Sequence, residues 1–256
     1  IWLAVVREPI AYAELRRLLA QPPVPRMTLE AVRSLLRRSL VEMYDGGFGL
    51  QNVVLEYCTD LLIGNVVQEL LAEPSQDKKK PTLQCTNCVA LVLAKTKEYI
   101  RTSQIRLLLQ PVLQQLTAQL GGQGTQERLK WWLEQLRTAS LSPGYAAGNL
   151  LNLLLHLEVD LRGYDFSGLY FRELNLRGVS LPETNFAQAK VVDGVFTEPF
   201  SIVDTAVFSP DGSYLAAGTT EGAIYIWETA EQQIIRVIRE HSQAITELAF
   251  AQQANK

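Results

Sequence analysis

The chain is short of the residues from which reaction centres are usually built. Its 256 residues include two His, three Cys and two Met. Cys85 and Cys88 share a Cys-x-x-Cys spacing inside an apolar, helix-like pattern. Zinc would need two further ligands, and Cys58, His156 and His241 supply no matching pair, so two packed thiols and no metal site are expected. An odd cysteine count argues against a disulfide framework and for a reducing compartment, and the expected location is cytoplasmic. No signal peptide is visible. The longest apolar run, Leu150 to Leu157, is interrupted by Asn152 and His156 and is far too short to span a bilayer. A net charge of −3 provides no global basic field for nucleic acid. The glycine cluster Gly121-Gly122-Gln123-Gly124 lacks the Gly-Lys-Ser/Thr that cradles phosphates. Thr125-Gln126-Glu127 follows it, and this reads as a helix cap and first turn. With no paired carboxylates and no nucleophile constellation, no catalytic residue and no enzymatic activity are expected. Ile1 falls inside an apolar run, so the chain is expected to be a piece of something longer.

What is present is a repeat. Between Val159 and Thr197 every fifth residue is apolar: Leu161, Phe166, Phe171, Leu176, Leu181, Phe186, Val191 and Phe196. Four of the chain's eight Phe stand in this phase. A period of five is neither helical nor strand-like, and a fixed short repeat implies stacked turns. The pairs Asp160-Leu161, Asp165-Phe166, Asn175-Leu176 and Asn185-Phe186 resemble the centre of the pentapeptide-repeat unit. That resemblance implies a square right-handed β-helix with four units per coil, here about two coils. Val159, Tyr164, Leu169 and Leu174 stand where the family prefers small side chains, so a wider or irregular first coil is expected. Phe171 should lie in the core, and Arg172, one position on, should contribute little.

Residues 1–72 read as two or three helices followed by a hairpin. Pro9 opens a helix with Tyr12, Leu15, Leu18 and Leu19 on one face, which Pro22-Pro23 ends. Thr28 can cap the next helix, with Leu29, Val32, Leu35, Leu36 and Leu40 inward. Two short strands then flank Tyr44-Asp45-Gly46-Gly47, and a third helix runs from about Val53 to Leu71. This is the order of a winged helix. Residues 34–63 resemble the winged-helix portion that follows the nucleotide-binding module in bacterial STAND-type (NB-ARC) ATPases. The positions matching that family's nucleotide-sensing triplet are Leu50, Gln51 and Asn52. Gln51 and Asn52 can donate a hydrogen bond but cannot carry the charge of a protonated His. The resemblance implies ADP or ATP only in an N-terminal module outside this chain, and no cofactor within it. Arg33, Arg37 and Arg38 open the alternative of a DNA-binding regulator, but so small a cluster makes few phosphate contacts.

Residues 73–82 read as a linker and 83–158 as a helical domain. Pro111 should kink the helix and the glycine cluster should end it. Asn149, Asn152 and His156 form the only polar stripe of an otherwise apolar helix, expected to be a buried network next to the first coil. Residues 159–200 are the solenoid. In 201–256, AVFSPDGSYLAAGTTEGAIYIWE (206–228) resembles a WD repeat, with Trp227-Glu228 and Glu240-His241 in place of Trp-Asp and Gly-His. Phe208 and Phe250 mark a second copy.

The expectation is a multidomain α+β chain: winged helix, helical segment, short pentapeptide-type β-helix and the start of a WD-repeat propeller. Together these resemble the C-terminal half of cyanobacterial-type STAND ATPase–WD-repeat proteins. The resemblance implies a non-catalytic regulatory segment that couples a WD-repeat sensor to a nucleotide switch. Its partners would be proteins bound through the WD repeats and an intramolecular nucleotide-binding module, with neither membrane nor nucleic acid.

Overall fold

The first two helices are short because a left-handed and an extended residue interrupt them. α1 (Trp2–Val6) ends at Arg7 in the left-handed region, and α2 (Tyr12–Leu18) starts after the extended Ala11. α3 (Pro25–Arg37) opens on Pro25, whose fixed φ suits a first helical position and whose missing N–H has no partner to lose there. Thr28 therefore lies within the first turn rather than capping it. It is buried, and its hydroxyl has no hydrogen-bond partner among the described residues. In this computed structural model the described residues are 1–20, 25–72, 83–138, 143–177, 179, 181, 183–195, 203–228 and 233–251. The expected linker 73–82 and Phe196 lie outside them.

β1 (Glu42–Tyr44) and β2 (Gly47–Gly49) form an antiparallel hairpin, turned at Gly46 with φ 107°. Ile10 adds a one-residue third strand, exchanging backbone hydrogen bonds with Phe48 at 3.0 and 2.9 Å. Only glycine fits at 47, where a Cβ would lie 2.2 Å from the Ile10 carbonyl oxygen. α4 (Asn52–Leu71) follows, burying Leu62, Ile63, Val66, Val67 and Leu70.

The expected long helical segment is divided. α5 (Gln84–Cys88), a buried loop through Val92 and α6 (Glu98–Gln104) precede a π-helical turn, Ile105–Leu109. α7 (Gln110–Thr138) carries Pro111 in its first turn. The wider π turn just before it eases the clash that proline makes with the preceding carbonyls. Gly121, at φ 71° and ψ 172°, breaks α7 into two helical parts. Thr125 does not cap the second part. It is buried within it and donates its hydroxyl to the Gly121 carbonyl at 2.7 Å.

From Glu158 the described backbone turns corners at multiples of five residues. Glu158, Gly163, Gly168, Glu173, Glu183, Gln188 and Asp193 all have φ between 54° and 74°. Between corners, Asp160, Asp165 and Asn185 each accept the N–H two residues ahead at 2.9–3.0 Å, making Asx turns. Parallel pairing joins residues 20 apart. β3 (Tyr170–Arg172) pairs with β4 (Lys190–Val192), and single bridges join Asp165 to Asn185 and Asn175 to Val195. Phe166, Phe171 and Phe186 stack inside, with ring centroids 4.9–6.1 Å apart. Leu161, Phe166, Phe171 and Leu176 of the first turn are buried. Leu181, Phe186 and Val191 of the second are half-buried.

α8 (Ala146–His156) lies across the edge of the first turn. Asn152 donates to the Glu173 carbonyl at 3.3 Å and accepts from the Asn175 N–H at 3.4 Å, satisfying backbone groups at a coil edge that has no further turn. Asn149 closes the other side of the helix onto the 86–91 segment, accepting from Leu91 N–H and donating to Thr86 and Val89 carbonyls. A single apolar cluster runs from Trp2 through Leu176.

The chain divides into two units, residues 1–197 and 198–256. The second is a four-stranded antiparallel sheet in sequential order: β5 (Val203–Phe208), β6 (Tyr214–Thr219), β7 (Ile224–Glu228) and β8 (Gln233–Ile238). β6 buries Ala216 and Ala217, while Phe208, Ile234, Ile235 and Val237 remain exposed.

Two glycines give opposite expectations. A Cβ at Gly148 would lie 2.2 Å from the Arg172 carbonyl oxygen, so α8 must move off the coil edge. Gly148→Ala should cost about 1–3 kcal/mol in urea unfolding. Gly64, in α4 with nothing within 4 Å, should gain up to about 1 kcal/mol as Ala.

Candidate functional site

Three separate stretches of the first unit converge on a cleft of about 350 Å³, lined by residues 6–18, the 93–100 segment and Glu173. Its floor is apolar: Val6, Ile10, Leu18, Leu93 and Ile100. Its charged groups are Glu8, Glu14, Arg17, Lys95, Lys97 and Glu173. The coil's corner geometry puts Glu173 there. In the left-handed conformation at residue 173 the chain reverses, and the side chain, 4% exposed, turns inward. Its Oε2 accepts the Ala94 N–H at 2.7 Å. Burial, helped by Asp193 and opposed by the Ala94 hydrogen bond and by Arg17 and Arg172, holds this carboxyl up at about 7.

Asp193, the corner one turn further along the coil, is a second node. It pairs with Lys95 at 3.3 Å, Arg17 at 3.7 Å and Arg172 Nε at 3.9 Å. Arg172 is far from the uninvolved surface residue its position in the repeat suggests. Its guanidinium lies 4.7 Å from the Tyr145 ring centroid and donates to the Arg17 carbonyl. Tyr145 donates its hydroxyl to the Leu18 carbonyl at 2.5 Å, and burial raises its pKa. Side chains outside the phase-five positions thus link α2, α8 and the coil. The five-residue phase identifies the centres but carries no signal for these corner contacts.

The remaining sequence candidates lie apart from this cleft. Gln51, the extended residue before α4, and Asn52, its first residue, are both exposed. Gln51 donates to Glu42 at 2.6 Å across the hairpin, and Tyr44 and Gln51 together hold the Glu42 carboxyl below its usual range. Cys85 is half-buried and Cys88 exposed. Burial and the neighbouring Glu69 push the Cys85 thiol up to about 11, the reverse of an activated nucleophile. Among the described residues no group of three or more His, Cys, Asp or Glu could hold a metal. His156 Nδ1 lies 2.9 Å from the Asn152 carbonyl oxygen, while the Asn149 and Asn152 side chains bond separately to the 86–91 segment and to the coil.

In the second unit, Asp211 organises the turn between β5 and β6. It accepts the Ser209 and Ser213 hydroxyls and the Ser213 N–H, which depress its carboxyl to about 2. The next turn closes through Thr219, which exchanges hydrogen bonds with Ala223. Trp227 is half-buried, opposite Leu215 and Ile234, and stacks on Tyr225 at 5.9 Å. His241 is exposed, with its carbonyl against Gly222, where a Cβ would lie 2.2 Å from it.

No protein-family model matches the chain, and no solved structure matches it. The chain is similar to an uncharacterized WD repeat-containing protein of Nostoc sp., at 37% identity over 268 residues. The likeness supports WD repeats. It covers 94% of this chain and 21% of the relative, so the chain spans about a fifth of that protein's length. In the structure the WD-like sequence supplies the second half of β5 with β6 and β7 of the four-stranded sheet, Trp227-Glu228 ending β7. No helix among the described residues is long and apolar enough to cross a membrane.

The raised Glu173 carboxyl fixes a pH dependence. Folded, the group keeps a proton that the unfolded chain releases near 4.5. Stability should therefore fall as pH rises from about 4.5 to about 7, and level off above. Glu173→Gln retains an acceptor for the Ala94 N–H. It should raise stability at pH 8 by up to roughly 3 kcal/mol and flatten that slope in thermal melts.

Proposed function

We propose that this chain is a non-catalytic regulatory segment of a STAND-type NTPase, coupling a WD-repeat sensor to a nucleotide switch carried elsewhere in the protein. The observation that carries the reading is the continuous core of residues 1–197, in which the N-terminal helices, α4, α5, α7, α8 and the coil share one apolar cluster. A body packed in this way transmits displacement rather than absorbing it, because close-packed interiors are weakly compressible.

The finer assignments draw support from local geometry. Helices, the Ile10–hairpin sheet and α4 follow the order of a winged helix. A 20-residue parallel register with left-handed corners at multiples of five residues supports a pentapeptide-type coil of four units per turn. The sequential four-stranded sheet supports a propeller blade, and its exposed Phe208, Ile234, Ile235 and Val237 offer apolar surface to further blades or to a protein partner.

Rigidity is the property to measure. Spin labels at Glu30 and Lys190, both exposed, in a chain with Cys58, Cys85 and Cys88 replaced by Ser, should give one narrow distance distribution. A broad or multimodal distribution would overturn the rigid coupling. ATP hydrolysis that persists through purification and vanishes on a point mutation in this chain would overturn the non-catalytic reading.

A further inference from the structure

We propose that the cleft around Glu173 binds a small organic cation, an aliphatic primary amine whose ammonium meets the Glu173 carboxylate and whose methylenes lie on the apolar floor. The argument is one of charge matching within the cleft. Each of its cations already lies on a carboxylate: Arg17 and Lys95 share Asp193 with Arg172, and Lys97 pairs with Glu8 at 3.3 Å. Its carboxylates are not all matched. Among the described residues Glu173 and Glu14 have no ion pair, and Glu173 has only the Ala94 N–H as a hydrogen-bond donor.

A buried, unpaired carboxylate is costly, and a cation delivered to it recovers much of that cost. Size and lining agree. The cleft's volume, about 350 Å³, lies at the small end of ligand sites, which combine apolar walls with a few polar groups. One buried carboxylate over Val6, Ile10, Leu18, Leu93 and Ile100 suits an alkylammonium. A divalent metal would need several more oxygen ligands. An anion would have to displace Asp193 or Glu8 from their partners.

The groups facing Glu173 are Arg172 and Asp193 from the coil, Glu14 and Arg17 from α2, and Tyr145 from α8. Glu8, Lys95 and Lys97 lie on the cleft's loops. With these neighbours the carboxyl is held at about 7. Amine binding at neutral pH must then expel its proton.

Isothermal titration of the full chain with butylamine, 1,4-diaminobutane and the neutral control butan-1-ol tests the site. Both amines should bind saturably at pH 8 and more weakly at pH 6. At pH 7, titrations in two buffers of different ionisation enthalpy should show release of about half a proton per amine bound. Glu173→Gln should weaken amine binding by roughly tenfold or more. Should that variant fail to fold, proton release by the unaltered chain decides the matter. Equal binding of butan-1-ol, unchanged affinity in folded Glu173→Gln, binding without proton release, or no binding at about 10 mM amine would each overturn the proposal.

Discussion

The open edge of the first coil is the constraint on which residues 1–197 depend. A turn of parallel-paired backbone presents unsatisfied N–H and C=O groups where no further turn follows, and an uncovered edge invites association. α8 closes it with one glycine and one amide. Gly148 allows the helix backbone to approach the Arg172 carbonyl, and Asn152 bonds both the Glu173 carbonyl and the Asn175 N–H. The apolar sides of the same helix bury Leu150, Leu151, Leu153 and Leu154. Asn149 fixes the 86–91 loop, and the loop brings Ala94 to Glu173. Coil, helix and loop are therefore positioned by the same few side chains.

That construction explains why charged residues gather at a coil corner. A corner in the left-handed region costs roughly 1–2 kcal/mol for a residue other than glycine, yet Glu173 and Asp193 occupy two of them. Both side chains have long-range partners across the fold, the Ala94 N–H for one and Arg17, Lys95 and Arg172 for the other. Gly163 and Gly168 stand at corners with open space around them. The contrast separates corners that merely turn the chain from corners that also tie it to other elements.

The second unit is stabilised differently. Its turns are closed by short-range hydroxyl and carboxylate bonds, Ser209–Asp211–Ser213 and Thr219–Ala223. Its sheet buries mostly small residues on β6 and leaves isoleucine and valine of β8 exposed. Local turn chemistry sets the strand register there, with less help from a core.

Sequence by itself determined whatever is periodic or local. The five-residue phase named the coil's apolar centres. Of the four Asx-apolar pairs, Asp160, Asp165 and Asn185 form Asx turns in the coil, and Gly46 turns the hairpin. Such features depend on backbone preferences and on a repeated apolar side chain, both written within a few residues. Tertiary structure decided the rest. It buried Glu173, set Arg172 on Tyr145, placed Thr28 and Thr125 inside helices instead of at their caps, and let a π turn absorb Pro111. It also brought Glu8, Arg17, Lys95 and Glu173 around one cleft. These positions lie up to 165 residues apart in the chain. Their partnership comes from which surfaces pack together, and no window of neighbouring residues encodes that.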